Sequence, residues 1–260
     1  MRGHSKRVRP TRRQNAIAGP ELSHIWIISI CVIFLGGLFG LYVYAWSIPT
    51  LQWFTPAVLR GPADGNRIAL TFDDGPCAGY TEPILDILRE RGVKATFFVC
   101  GRNVERSPEL LRRIHADGHT IGNHGYSHPY PFFHSRRFFA RQVDRTQEAI
   151  EKVTGKRAKF FRPPFGARWL GLQPVLEARG LRLVNWSDTG YDWKLDREGI
   201  IRETLKTLGP GSIVLLHDGG RAYSPDRVNR SATVQALPAI LDGAAKAGLT
   251  FVTLEKLLVS

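Results

Sequence analysis

The sequence predicts an α/β domain on a mainly parallel sheet, with a barrel as its natural closure, behind one apolar N-terminal helix. Three observations predict it. From Arg67 onward, short runs rich in Val, Ile and Phe alternate with amphipathic stretches that each stop at or near a glycine. That alternation is the pattern of parallel βα units. Most of the strand candidates end in polar residues, namely Asp73-Asp74, Asn123-His124, Arg162, Asp188 and His217-Asp218. In parallel α/β folds the carboxyl ends of the strands form the active face, so these residues are expected on one rim. Finally, residues 25–46 run without a charge, about the 20 residues that a helix needs to cross a membrane.

Residues 1–24 are basic, polar and turn-rich, a composition expected to remain disordered. Trp26 at one end of the apolar run, and Tyr42, Tyr44 and Trp46 at the other, fit interfacial belts. The basic residues before it place the N-terminus in the cytoplasm by the positive-inside rule. The expectation is a single-pass anchor in a bacterial-type inner (cell) membrane, with the rest of the chain in the periplasm or at the cell surface. A cleaved signal peptide competes, with Val43-Tyr44-Ala45 as its cleavage site, but the apolar run exceeds the usual ~7–15 residues. Residues 47–66 carry Pro49, Pro56, Gly61, Pro62 and Gly65 without periodicity and are expected to be a linker.

The net charge is +13, and the six basic residues of the tail, opposed by Glu21, leave +8 for the remainder. That balance favours approach to an anionic polymer or surface. No interleaved basic-aromatic patch or helix-turn-helix pattern points to nucleic acid, and no protein partner is evident.

Expected strands are 68–72, 95–100, 119–123, 159–162, 182–186, 212–217 and 249–254. Thr81 is expected to cap a helix with Pro83 in its first turn, and Ser107-Pro108-Glu109 to open the next. Further helices are expected over 138–154, 172–179, 197–208 and 234–247.

Asp73 and Asp74 stand where the first strand meets Gly75-Pro76. Successive side chains diverge at a strand end, so one carboxylate can hold a metal while the other handles a proton. Taken alone, Asp-Asp-Gly is more often a solvated turn. His124 and His128 are four residues apart, which on a helical turn puts two imidazoles on one face. With Asp74 they make a three-ligand set with open positions, the arrangement of catalytic zinc.

Thr71-Phe72-Asp73-Asp74-Gly75, His124-x-x-x-His128, Arg162-Pro163-Pro164-Phe165, Asp192-Trp193 and Leu215-Leu216-His217-Asp218-Gly219 occur in that order. Together they resemble the five motifs of the polysaccharide deacetylases, the NodB-homology or carbohydrate esterase family 4 enzymes. The resemblance spans residues 67–258 and implies a distorted (β/α) barrel. It implies that Asp74, His124 and His128 bind a divalent metal, usually zinc, with cobalt or nickel compatible with the same donors. It further implies Asp73 as general base with Arg162 beside it, His217 as general acid and Asp192 as the group that orients His217. The Phe165 backbone N–H would hold the developing oxyanion, and Trp193 and Leu215 would wall the acetyl pocket. Core packing is the plain alternative for Trp193. Where the family usually has Ser or Thr after the first histidine, this chain has Gly125, with some loss of loop rigidity expected. His119, Asp188 and Asp218 are expected to be structural.

Cys31 lies in the apolar run. An extracytoplasmic location permits disulfides, and a bridge between Cys77 and Cys100 is expected to pin the loop after Asp73. The expected activity is metal-dependent removal of N-acetyl groups from an N-acetylhexosamine glycan such as a chitin oligomer, peptidoglycan or exopolysaccharide. The rivals are an O-acetyl esterase and a non-catalytic glycan-binding membrane protein.

Overall fold

The computed structural model describes residues 21–47, 55–130, 134–169, 171–220 and 228–258. The expected tail up to residue 20, and linker positions 48–54, lie outside the described residues. The chain divides into two units, Met1–Tyr44 and Ala45–Ser260. In the first, helix α1 (Glu21–Ser47) contains a segment, His24–Tyr44, with mean hydropathy 2.3. By length and composition it can cross a membrane.

Among its described residues the second unit holds eight strands, β1 (Arg67–Asp73), β2 (Thr96–Val99), β3 (Thr120–Asn123), β4 (Phe160–Phe161), β5 (Arg182–Leu183), β6 (Asp188–Thr189), β7 (Ile213–His217) and β8 (Thr250–Val252). All pair in parallel, in the order β5-β4-β3-β2-β1-β7-β6. β8 joins the start of β1 opposite β7, since Ala69 is level with both Ile213 and Val252. The seven expected strands are present, and β6 is an addition. The sheet curls into an open half-barrel: β5 and β6 end the hydrogen-bonded path, and linker residue Val58 bridges Val184 between them.

The helices are α2 (Thr81–Glu90), α3 (Gly101–Arg106), α4 (Pro108–Ala116), α5 (Arg136–Thr154), α6 (Leu172–Glu177), α7 (Arg197–Lys206), α8 (Ser231–Lys246) and α9 (Leu254–Leu258). Thr81 does not cap α2 as expected. It is the first helical residue, and its hydroxyl donates to Asp218 Oδ2 at 2.7 Å while accepting the Cys77 N–H at 2.8 Å. A tertiary carboxylate has taken the group that a local cap would have used.

Because side chains alternate along a strand, the sheet sorts its residues into two faces. Leu70 and Phe72 of β1, Phe97 and Val99 of β2, and Val214 and Leu216 of β7 face outward. They pack against Ile84, Leu85 and Leu88 of α2, Leu111 and Ile114 of α4, and Leu237 and Ile240 of α8. The intervening residues face the inside of the curl. There Ala69, Phe98, Phe160, Val184 and Ile213 form a second cluster, joined by Leu254 and Leu257 of α9. Continuing the inward series toward the strand ends gives Thr71 and Asp73 on β1, and Leu215 and His217 on β7. The apolar inner cluster is thus the floor on which a polar site stands.

Phe98 is fully buried in that floor, with the Arg162 guanidinium 4.1 Å above its ring centroid. Phe98→Ala should cost about 3–5 kcal/mol of stability, the loss typical of a buried aromatic, read as a lowered urea midpoint with little change in slope. A loss below about 1 kcal/mol would mean that the floor collapses freely into the gap.

Candidate active site

Strand alternation chooses the residues that enter the site. Asp73 ends β1 level with His217 on β7. Arg162 follows Phe160 by two positions on the inward series of β4, and His124 follows Gly122 on that of β3. Arg162 is fully buried. Its Nη1 donates to Asp73 Oδ1 at 2.7 Å and to Thr71 Oγ1 at 2.8 Å. Nη2 donates to the Asn185 carbonyl at 2.8 Å and Nε to the Val184 carbonyl at 3.2 Å. A buried cation costs least when its donors are used in this way.

Asp74 turns the other way. Its φ of 74° is left-handed, which swings its carboxylate off the strand series, and Asn103 Nδ2 donates to its carbonyl at 2.6 Å. Asp74 Oδ1 lies 3.5 Å from His124 Nε2 and 3.4 Å from His128 Nε2. These donor atoms are within 4.8 Å of one another and all three residues are buried. Three ligands held at about 2.0–2.1 Å in a tetrahedron stand roughly 3.3–3.4 Å apart, so the spacing suits one small divalent ion. His124 Nδ1 is 2.8 Å from the Arg162 carbonyl. Donation there leaves the Nε2 lone pair free, the outer-shell arrangement usual for a ligating imidazole.

The histidines do not lie on a helical turn, as the four-residue spacing suggested. Residues 124–128 form a loop after β3, with left-handed backbone at Gly125 (φ 77°) and His128 (φ 53°). The reversal folds His128 back until the ring centroids are 5.2 Å apart. Gly125 suits this loop, because its conformation is one that residues with a Cβ adopt only with strain. Its N–H is held by Asn123 Oδ1 at 2.9 Å.

A cavity of about 360 Å³ collects Asp73, Asp74, His124, His128, Phe165, Trp193, Leu215 and His217 in its wall. Trp193 is 48% exposed, so it is wall and not core, and its ring stands edge-on to His217 at 5.5 Å. Phe165, with φ 61°, sets its ring edge-on to His128 at 4.6 Å. Behind the wall, His217 Nδ1 is 2.7 Å from Asp192 Oδ1. Asp192 Oδ2 accepts the His217 backbone N–H and the Thr233 hydroxyl, each at 2.8 Å.

These contacts set the charges. Burial alone would raise the pKa of Asp74, but His128 and His124 hold it well below the usual carboxylate range. Burial alone would lower His124, yet Asp73 and Asp74 raise it above the ordinary imidazole value. His217 is likewise raised, with Asp192 outweighing burial. An imidazole able to give a proton therefore shares a cavity with a metal-ligand set.

One expected feature does not form. No disulfide joins Cys77 and Cys100: the buried Cys100 Sγ faces Asp74 Oδ1 at 4.0 Å, while Cys77 Sγ faces the Ala78 carbonyl at 3.8 Å. His119 and Asp188 lie outside the cavity. Asp188 braces the linker and α7 through Arg60 and Thr207. Asp218 braces the turn as expected, packed so closely that a Cβ on Gly75 would strike its carboxylate. Sequence reasoning missed Trp186 and Arg230 in the wall. It also missed Thr233 behind it and Asn103 beneath Asp74. Arg230 donates to the Gly219 and Asp192 carbonyls at 2.8 and 3.2 Å. Only the start of α8 marked this stretch, and nothing local ties it to Asp192.

Equilibrium dialysis should find one divalent ion per chain. His128→Ala should weaken it more than about 100-fold, beyond the loss typical of an outer-shell partner. Affinity should fall as pH drops through the raised His124 pKa, because the imidazolium has no lone pair to offer. Unchanged affinity in His128→Ala would remove the ion from this set.

Residues 60–184 match the family model described as polysaccharide deacetylase. A peptidoglycan-N-acetylglucosamine deacetylase of Bacillus cereus is 36% identical over 200 residues, 76% of this chain and 70% of that protein. A chitooligosaccharide deacetylase of Azorhizobium caulinodans is 40% identical over 156 residues, 59% of this chain and 74% of that protein. Among solved structures, the Bc1960 peptidoglycan N-acetylglucosamine deacetylase superposes with a TM-score of 0.72 at 35% identity, covering 78% of this chain and 92% of that one. With its motifs assembled on one rim and these relatives beside it, the chain belongs to the polysaccharide deacetylase family of hydrolases.

Proposed function

We propose that this protein hydrolyses N-acetyl groups of an N-acetylglucosamine-containing glycan, peptidoglycan or a chitooligosaccharide, in a metal-dependent reaction that releases acetate and a free amine. The observation that carries the proposal is the meeting of Asp73, the Asp74-His124-His128 set and His217 in one cavity. The names of the relatives support the glycan class.

Asp74, His124 and His128 would hold the ion, zinc in the first instance with cobalt or nickel compatible, which when bound supplies Lewis acidity to an amide carbonyl and to water. Asp73 is placed to take the water proton, its Oδ1 fixed by Arg162 and its Oδ2 turned toward His124 at 3.8 Å. His217 gives a proton to the departing amine. Its Nδ1 is committed to Asp192, so Nε2 serves the substrate. The Phe165 N–H contributes to stabilising the oxyanion, and Trp193 and Leu215 hold the acetyl methyl. For domain organisation we propose a cytoplasmic tail (1–24), one membrane anchor (25–46), a linker (47–66) and an extracytoplasmic catalytic domain (67–258).

Acetate and amine release from peptidoglycan and chitooligosaccharides should stop with a chelator and return with zinc. Asp73→Asn should lower kcat about 10²–10⁴-fold, the worth of a positioned base. Acetate with a new hydroxyl and no amine would mean an O-acetyl esterase, and no acetate from a metal-loaded protein would mean a silent scaffold. The acid works while His217 is protonated, so activity should fall as pH rises through its raised pKa. Asp192→Asn removes the raising charge and should move that alkaline limb to lower pH; an unmoved limb would take His217 out of the acid role.

For topology, protease added outside intact spheroplasts should digest the catalytic domain and spare an N-terminal tag. Digestion of the tag alone would invert the orientation.

A further inference from the structure

A second cavity, of about 450 Å³, lies at the other end of the sheet. Lys94 precedes β2 and His119 precedes β3, so this cavity is at the amino ends of strands whose carboxyl ends carry the reaction site. The linker also enters β1 at this end, at Arg67.

His119 lines the cavity and is 5% exposed. The Ala95 N–H donates to its Nδ1 at 3.1 Å. Burial first, and then the Lys94 and Arg113 charges, against the opposing Asp117 carboxylate, hold its pKa down to about 4. The ring is therefore neutral at pH 7, and with Nδ1 accepting, its proton sits on Nε2. Among the described residues, that buried N–H has no hydrogen-bond partner. Buried polar groups are rarely left so. An aspartate or glutamate opposite would satisfy it, but the wall offers Glu255 alone, and Glu255 is engaged by Lys159 at 3.1 Å. Lys94, Lys156 and Lys256 also line the cavity. Among the described residues no carboxylate pairs with any of them. Lys94 Nζ donates to the Asp117 carbonyl, and a buried N–H donor in a cavity that three lysines also line is complementary to an oxyanion.

We propose that this cavity binds a phosphate group, with His119 Nε2–H as its buried donor and Lys94, Lys156 and Lys256 as its cations. The phosphate belongs either to a free phosphate or to an anionic lipid headgroup. The site is separate from the reaction cavity, so its occupancy and deacetylase turnover are independent measurements.

The test uses the full chain in zwitterionic detergent micelles. Inorganic phosphate and dioctanoyl phosphatidic acid are each titrated by calorimetry. The histidine Nε2–H signals are followed by NMR in 15N-histidine-labelled protein, His119 being assigned by its loss in His119→Phe. Saturable binding that moves the His119 signal is expected. The double variant Lys156→Gln/Lys256→Gln should raise Kd about tenfold, through two lost charge-assisted contacts, and leave kcat/KM for the glycan unchanged. Tighter binding of the lipid than of phosphate identifies a headgroup site, and equal binding identifies a site for the phosphate group itself. No saturable heat with either probe up to about 10 mM, the range of negligible affinity, would overturn the proposal. So would binding that leaves the His119 signal in place, or that the double variant does not weaken.

Discussion

The buried pair of Arg162 and Asp73 is the interaction on which the rest of the site depends. One guanidinium, with no exposure to solvent, joins Asp73 and Thr71 of β1 to the carbonyls of Val184 and Asn185. Those carbonyls lie on the stretch between β5 and β6, where the sheet is open. The cation therefore ties β1 to the stretch at which the sheet is open. Its own carbonyl receives His124 Nδ1, so the same residue orients a candidate ligand. An isolated buried charge would be costly, and removal of either partner would leave the other uncompensated. Here the cost is offset by donors on all three guanidinium nitrogens in use, with Phe98 and Trp186 flanking the guanidinium.

A second group of contacts holds His217. Asp192 is itself held by the His217 backbone, by Thr233 from α8 and by Arg230 just before it. The imidazole thus has its tautomer and direction set by groups from three separate parts of the chain. Among the described residues four non-glycine positions have left-handed backbone: Asp74, His128 and Phe165 line the cavity, and Tyr191 packs its ring on Trp193 of the wall. Such conformations cost about 1–3 kcal/mol each and persist where the surroundings over-determine them. Asn103 on the Asp74 carbonyl is one such restraint.

The chain uses its two sheet ends differently. At the carboxyl ends, opposite charges are brought into contact and neutralise one another pairwise. At the amino ends, three lysines line a cavity with, among the described residues, no carboxylate paired to them, and a neutral histidine keeps an unused proton. The parallel topology makes the separation possible, because every strand starts at one end and finishes at the other.

The sequence by itself determined the strand order in the chain, the polar strand ends, the apolar helix and most residues of the candidate site. Those features rest on local causes: period-two alternation, glycine stops, and motifs in which neighbouring residue types speak for themselves. The tertiary structure alone decided what joins those residues across distance. The expected helical turn at His124 and His128 is a loop, because two left-handed residues reverse the chain where spacing alone suggested a helix. Thr81 serves Asp218, 137 residues away, instead of capping its own helix. Cys77 and Cys100 were a pairing expected from nearby strand ends, but the direction of each thiol, not the proximity of the strands, settles a bond. Arg230 and Thr233 were invisible because their partner lies about forty residues earlier in the chain, and no periodicity reports a contact made by folding. Local chemistry can be read along a chain; the pairing of buried charges and donors is fixed only when packing removes water and each group must find its partner.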